Sequence, residues 1–118
     1  MKPLERDAAY LWDMLDAAKQ AAELSDGIGL DGLLNDIRTR YAIERALEII
    51  GEAARRVSHE TTAAHPEIPW KGIIGFRNVL AHEYGAIDYH RLYTVLRDDL
   101  PELVVALENI IALIEDLR

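Results

Sequence analysis

Apolar residues recur at three- and four-residue steps through most of this chain, a periodicity that packed helices satisfy and strands do not. Leu4, Ala8, Leu11, Leu15, Ala18 and Ala22 predict one amphipathic helix over residues 4–24. The segment SDGIGLDG (25–32) ends it with glycine and acidic turn formers. A second helix is expected from about Leu33 to Val57, with Ile37, Tyr41, Ala46, Ile49, Ile50, Ala53 and Val57 on its buried side. The polar stretch SHETTAAHPEIP (58–69) reads as a connection closed by two prolines. Pro69 suits the first turn of a third helix, where its missing N–H costs nothing. Ile73, Phe76 and Leu80 give that helix an apolar edge, and Gly85 is a C-terminal stop. Asp88 reads as the N-cap of a fourth helix with Tyr89, Leu92, Tyr93 and Leu96 on one face. Asp99 with Pro101 opens a fifth, carrying Leu103, Leu107, Ile110, Ile114 and Leu117. The fold class expected is all-α, a bundle of four to five helices forming a single domain over residues 1–118.

Composition narrows the chemistry. The 118 residues include no cysteine, which excludes disulfides, zinc–thiolate sites and thiol catalysis. The longest purely aliphatic runs, such as LVVAL (103–107), are far short of a membrane span, and the charged N-terminus lacks the apolar core of a signal peptide. No membrane partner and a cytoplasmic location are therefore expected. The net charge of −8 argues against broad nucleic-acid binding, but it is unevenly spread. Residues 1–37 carry three basic and eight acidic groups, and residues 78–118 carry the same numbers. Residues 38–77 carry seven basic groups (Arg38, Arg40, Arg45, Arg55, Arg56, Lys71, Arg77) against five acidic ones. RNA, if it binds, is expected to bind locally around this middle segment.

Several candidate sites fail on spacing. Gly27-Ile-Gly29-Leu-Asp-Gly32 spells G-x-G-x-x-G, yet it joins two helices and follows no strand, so the glycines read as a loop rather than a pyrophosphate cradle. His59 and His65, with Glu60 nearby, match no helical ligand pair and lack further ligands, which makes them solvated loop histidines. His90 has no evident partner. No metal or cofactor is called for.

The segment 77-RNVLAHEY-84 is different. Arginine grips phosphate with a planar, permanently charged fork, and histidine titrates near neutrality. Together Arg77 and His82 can cleave RNA without a metal. Histidine activates the ribose 2′-hydroxyl or protonates the leaving oxygen, while arginine stabilises charge on the phosphate. On one ideal helix the five-residue step sets these two side chains about 140° apart. Asn78 and His82 do share a face, as do Arg77 and Tyr84. A working site then requires either a helix that loosens near its end or two copies of the segment meeting across a dimer.

The blocks RYAIERALEIIGEAARRVS (40–58) and HPEIPWKGIIGFRNVLAHEYGAIDYHRLYTVLRDDLPEL (65–103) resemble, in order and spacing, the HepT-like toxins of the HEPN (higher eukaryotes and prokaryotes nucleotide-binding) superfamily. The motif of that branch, R-x4-H-x-Y, is met without departure by Arg77, His82 and Tyr84, with Asn78 as the polar residue after the arginine. The resemblance implies a helical bundle of HEPN type and a metal-independent endoribonuclease acting on tRNA or mRNA. It implies that Arg77 and His82 are the catalytic pair, that Asn78 supports them, and that the toxin is a homodimer. It also implies a minimal nucleotidyltransferase antitoxin that transfers AMP from ATP to Tyr84. Adenylylation there would set bulk and negative charge beside the arginine and histidine. Glu48 and Glu52 are further candidates, as carboxylates that could orient Arg77. The alternative is a non-catalytic dimeric helical module that binds a nucleotidyltransferase or RNA.

Overall fold

The computed structural model describes residues 3–75 and 87–116. All regular structure among them is helical. The chain forms α1 (Pro3–Ser25), α2 (Leu30–Asn35), α3 (Ile37–Arg56), α4 (His59–Ala64), α5 (helical over 70–75), α6 (Tyr89–Thr94) and α7 (Leu100–Asp116). Among the described residues no helix is long and apolar enough to cross a membrane.

The bundle is built on α1, which packs most extensively against α3 and next against α7. The expected stripe on α1 is buried at Ala8, Leu11, Leu15 and Ala18, and Met14, Ala17 and Ala21 widen it. Small alanines let the neighbouring helices approach closely. Asp7, near the start of α1, meets Ser58 just beyond the end of α3, so these two helices run antiparallel. Leu107, Ile110 and Ile114 of α7 complete the core as predicted. Each such side chain contributes about 1.5–3 kcal/mol relative to solvent exposure.

The structure departs from the sequence reading at three places. The second helix, expected from Leu33, is broken at Asp36. There the carboxylate caps α3, accepting the Thr39 amide at 3.1 Å and its hydroxyl at 2.8 Å. Residues 30–32, expected in the loop, instead form the first half of the short helix α2. Gly27 does turn the chain out of α1 in the left-handed conformation (φ 73°) that glycine adopts without strain.

The restart re-phases the buried face of α3. Ile43, Ala46, Leu47, Ile50, Ala53, Ala54 and Val57 are buried, whereas Ile37 and Tyr41, expected inside, are 52% and 60% exposed. Tyr41 and Ile43 lie two positions apart, about 200° around the axis, so the core can take only one of them.

The connection 58–69 contains α4, capped by the Ser58 hydroxyl accepting the Thr61 amide at 3.3 Å. Pro69 sits one residue ahead of α5 and accepts the Ile73 amide at 3.0 Å, rather than occupying the first helical turn.

Finally, the fourth and fifth helices are one rod. Asp88 caps α6 as predicted, accepting the Arg91 amide at 3.2 Å. A π-helical turn, Val95–Asp99, then carries α6 directly into α7. Pro101 does not open a helix there: it is the second residue of α7. Proline has no N–H to donate, and its ring crowds the carbonyl four residues back. A widened turn just ahead of it, in which the Leu100 amide reaches the Val95 carbonyl, relieves both problems.

Candidate functional site

Arg77, Asn78, His82 and Tyr84, together with Phe76, Leu80 and Gly85, lie outside the described residues. The structure places the elements on either side of that segment. Chain enters from α5, anchored by Trp70, whose buried ring donates its Nε1–H to the His65 carbonyl at 3.0 Å. It leaves into α6, whose first residue, Tyr89, donates its hydroxyl to Glu44 Oε1 of α3 at 2.9 Å. Burial, and then the Glu44 carboxylate facing it, hold the Tyr89 phenol above its ordinary pKa.

Around Tyr89 the sequence places an arginine between two aromatic rings. The Arg40 guanidinium lies 5.1 Å from the Tyr89 ring centre and 5.8 Å from that of Tyr41. Its Nη1 donates to the Leu34 carbonyl at 2.8 Å. Arg40 is thus a fixed structural cation tying α2, α3 and α6 together.

Further along α3 the basic groups of the middle segment meet acidic ones. Glu52 Oε1 accepts from Arg55 Nη2 at 3.1 Å and from Arg56 at 3.1 and 3.3 Å. Hydrogen bonding to Glu52, then to Tyr10, raises the Arg56 pKa and favours its charged form. Arg45 pairs with Glu48 at 3.4 Å. These groups line an open groove of about 490 Å³ between α1 and α3. A second, largely apolar cavity of about 430 Å³ lies between α3, α5 and the α6–α7 rod, with Leu47, Ile68, Ile73 and Leu103 in its walls.

The histidines outside the motif are accounted for without chemistry. His59 is the exposed first residue of α4. His65 is less solvated than the sequence reading expects: it is half-buried at the end of α4, its Nδ1 3.2 Å from Glu67, and its carbonyl anchors Trp70. His90 is exposed, its carbonyl accepting the Thr94 hydroxyl at 3.0 Å. Among the described residues no three His, Asp or Glu side chains cluster in a way that could hold a metal ion.

Sequence reasoning missed the surface position of Tyr41. The signal was present in Asp36-x-x-Thr39, a cap pattern that starts the helix at residue 37 and sets its phase.

Comparison with known proteins agrees with the resemblance read from the motif. Residues 14–110 match the family described as Ribonuclease HepT-like. A Methanocaldococcus jannaschii protein provisionally named an RNase is 39% identical over 95 residues, covering 80% of this chain and 87% of the relative. A Thermococcus cleftensis protein named "Probable ribonuclease HepT" is 36% identical over 103 residues, covering 87% and 92%. A Caldanaerobacter subterraneus protein, also provisionally named an RNase, is 32% identical and covers 86% and 91%. No solved structure matches the chain at a significant level. With four-fifths of its length inside the family's match and relatives of this similarity along nearly their whole length, the chain belongs to the HepT-like ribonuclease family.

Proposed function

We propose that this protein is the toxin of a toxin–antitoxin pair, a metal-independent endoribonuclease that cuts RNA with Arg77 and His82 and is silenced by adenylylation of Tyr84. The observation that carries the reading is the complete R-x4-H-x-Y motif at residues 77–84, inside a chain whose residues 14–110 match a ribonuclease family.

The chemistry follows from the residue types. His82 takes the proton from a ribose 2′-hydroxyl, and the 2′-oxygen attacks the adjacent phosphorus. The bond to the 5′-oxygen breaks, that oxygen receives a proton, and a 2′,3′-cyclic phosphate remains. Arg77 neutralises the charge that builds on the non-bridging oxygens, and Asn78 steadies the arrangement by hydrogen bonding. DNA lacks the attacking hydroxyl, so the substrate is RNA. The 140° offset of Arg77 and His82 on an ideal helix favours a cleft assembled by two copies of the chain.

In the off state a minimal nucleotidyltransferase uses ATP. The Tyr84 oxygen attacks the α-phosphorus, pyrophosphate leaves, and AMP stays on the phenol. Its bulk and charge beside Arg77 then exclude the RNA backbone. Cytoplasmic action is part of this reading.

The test is expression without an antitoxin. Growth arrest that His82→Ala and Arg77→Ala relieve is the expected result. Arrest of equal strength from the His82→Ala protein rejects the reading. RNA binding without cleavage in the unmodified protein would favour the second reading, a non-catalytic dimeric binding module, for which the net charge of −8 and the local basic segment speak.

A further inference from the structure

The start of α3 presents a surface that neither the core nor the motif explains. Tyr41 is 60% exposed and Ile37, one turn earlier, is 52% exposed. A large aromatic ring left in water on a helix with a good buried stripe is unusual enough to ask what it meets.

Its neighbours narrow the answer. Arg38, Tyr41 and Arg45 follow at steps of three and four, which places them within about 60° of one another around the helix and spreads the two arginines over about 10.5 Å of its length. Both arginines are exposed. Among the described residues no ion pair engages Arg38, and the pair between Arg45 and Glu48 is an exposed one of the kind worth less than about 1 kcal/mol. Of the other nearby carboxylates, Asp36 caps Thr39 and Glu44 accepts the Tyr89 hydroxyl. In a chain of net charge −8 these are two exposed cations on one helix face. The ring itself is backed by Arg40, which sits between Tyr41 and Tyr89 and is pinned to the Leu34 carbonyl. One face of Tyr41 is thereby supported and the other is left open.

We infer that Arg38, Tyr41 and Arg45 form a binding strip for single-stranded RNA, in which a nucleobase stacks on the open face of Tyr41 and the two arginines hold flanking phosphates. An unpaired base offers a flat π-face to the ring, and the two guanidiniums can each take a backbone phosphate. A protein partner would be served as well by the exposed Ile37, but it gives no reason for two exposed guanidiniums flanking a supported ring. The inference rests on the reading of the protein as a ribonuclease, because it assigns this strip to the same substrate.

The test measures binding separately from cleavage. A fluorescein-labelled single-stranded oligoribonucleotide of mixed sequence is titrated into the full-length His82→Ala protein, with and without changes on the strip. Tyr41→Ala is expected to weaken binding roughly tenfold or more, the effect of losing one stacked base, while Tyr41→Phe, which keeps the ring, stays within about twofold. Arg38→Ala with Arg45→Ala is expected to lower the slope of log affinity against log salt by about 1.4, two single-strand phosphate contacts at about 0.7 each. In the otherwise native enzyme, Tyr41→Ala should raise KM and leave kcat within about twofold, since stacking away from the reacting atoms binds ground and transition states alike.

Unchanged affinity in Tyr41→Ala protein of unchanged melting temperature overturns the inference. So does a loss of dimer mass in that variant with RNA affinity intact, which would assign the face to a protein contact, and so does an absence of RNA binding by the parent. If binding depends on Tyr41 but the native chain never cleaves, the ribonuclease reading fails and the strip stands. If cleavage depends on His82 while Tyr41→Ala leaves KM unchanged, the reverse holds.

Discussion

Asp7 and Ser58, fifty-one positions apart in sequence, are joined by two hydrogen bonds: the Ser58 amide donates to Oδ1 at 2.9 Å and its hydroxyl to Oδ2 at 2.5 Å. The Thr61 hydroxyl adds a third to Oδ2, also at 2.5 Å. Asp7 is the buried charged residue of the described core, 4% exposed, and it fastens the start of α1 to the start of α4. Burial alone would raise its pKa. The hydrogen bonds from Ser58 and Thr61, with Arg6 nearby, outweigh that and hold it below the ordinary carboxylate value.

Because the folded-state pKa is depressed, the stabilisation is present above the unfolded value of about 3.9 and is lost as pH falls through the folded one. Asp7→Asn should therefore cost about 1.5–3 kcal/mol at neutral pH, the range for hydrogen bonds to a charged acceptor. Denaturant unfolding at a series of pH values checks both halves of this statement. The gap between the two proteins should narrow below about pH 4. A gap that stays constant down to acid pH would mean that the carboxylate's charge is not what matters.

The phase of α3 gives a second prediction. Ile43→Ala removes a fully buried side chain and should destabilise by about 2–5 kcal/mol, whereas Ile37→Ala, half-exposed, should stay within about 1 kcal/mol. Chemical denaturation of the two variants decides between this phase and the one the unbroken sequence stripe suggests. Equal losses would place both residues in the core.

How much of this was legible beforehand depended on what decides each element. The long stripes of α1 and α7 are set by burial, and burial is written in the spacing of Leu11, Leu15, Leu107, Ile110 and Ile114. Breaks and joins are decided locally. Asp36 interrupts what reads as one helix because its carboxylate satisfies the Thr39 amide. Pro101 looks like a helix start because proline suits a first turn, and only the packing of α6 and α7 shows that a π-helical turn has absorbed it instead. The R-x4-H-x-Y motif was legible for a different reason. It is a spelling of residue types at fixed spacing, visible without knowledge of the local backbone, and it lies within the family match over residues 14–110. Tyr41 was misread because an aromatic at helical spacing is more often core than surface.

The proposed off-switch predicts a covalent change at one atom. Incubation with the cognate nucleotidyltransferase and ATP should add the mass of one or more AMP units, and the Tyr84→Phe protein should gain none. RNA cleavage should fall in proportion to the modified fraction, measured by intact-mass spectrometry beside a gel assay. The same mass gain in Tyr84→Phe protein would move the site elsewhere.

The central claim is that Arg77 and His82 break the RNA strand, and the most direct measurement is single-turnover cleavage of labelled RNA by purified, unmodified protein in the presence of EDTA. The account predicts cleavage that persists with the chelator, leaves 2′,3′-cyclic phosphate ends, and falls by about 10²-fold or more in His82→Ala, the scale of a general acid–base contribution. Cleavage that the chelator abolishes, or that His82→Ala leaves intact, would contradict it.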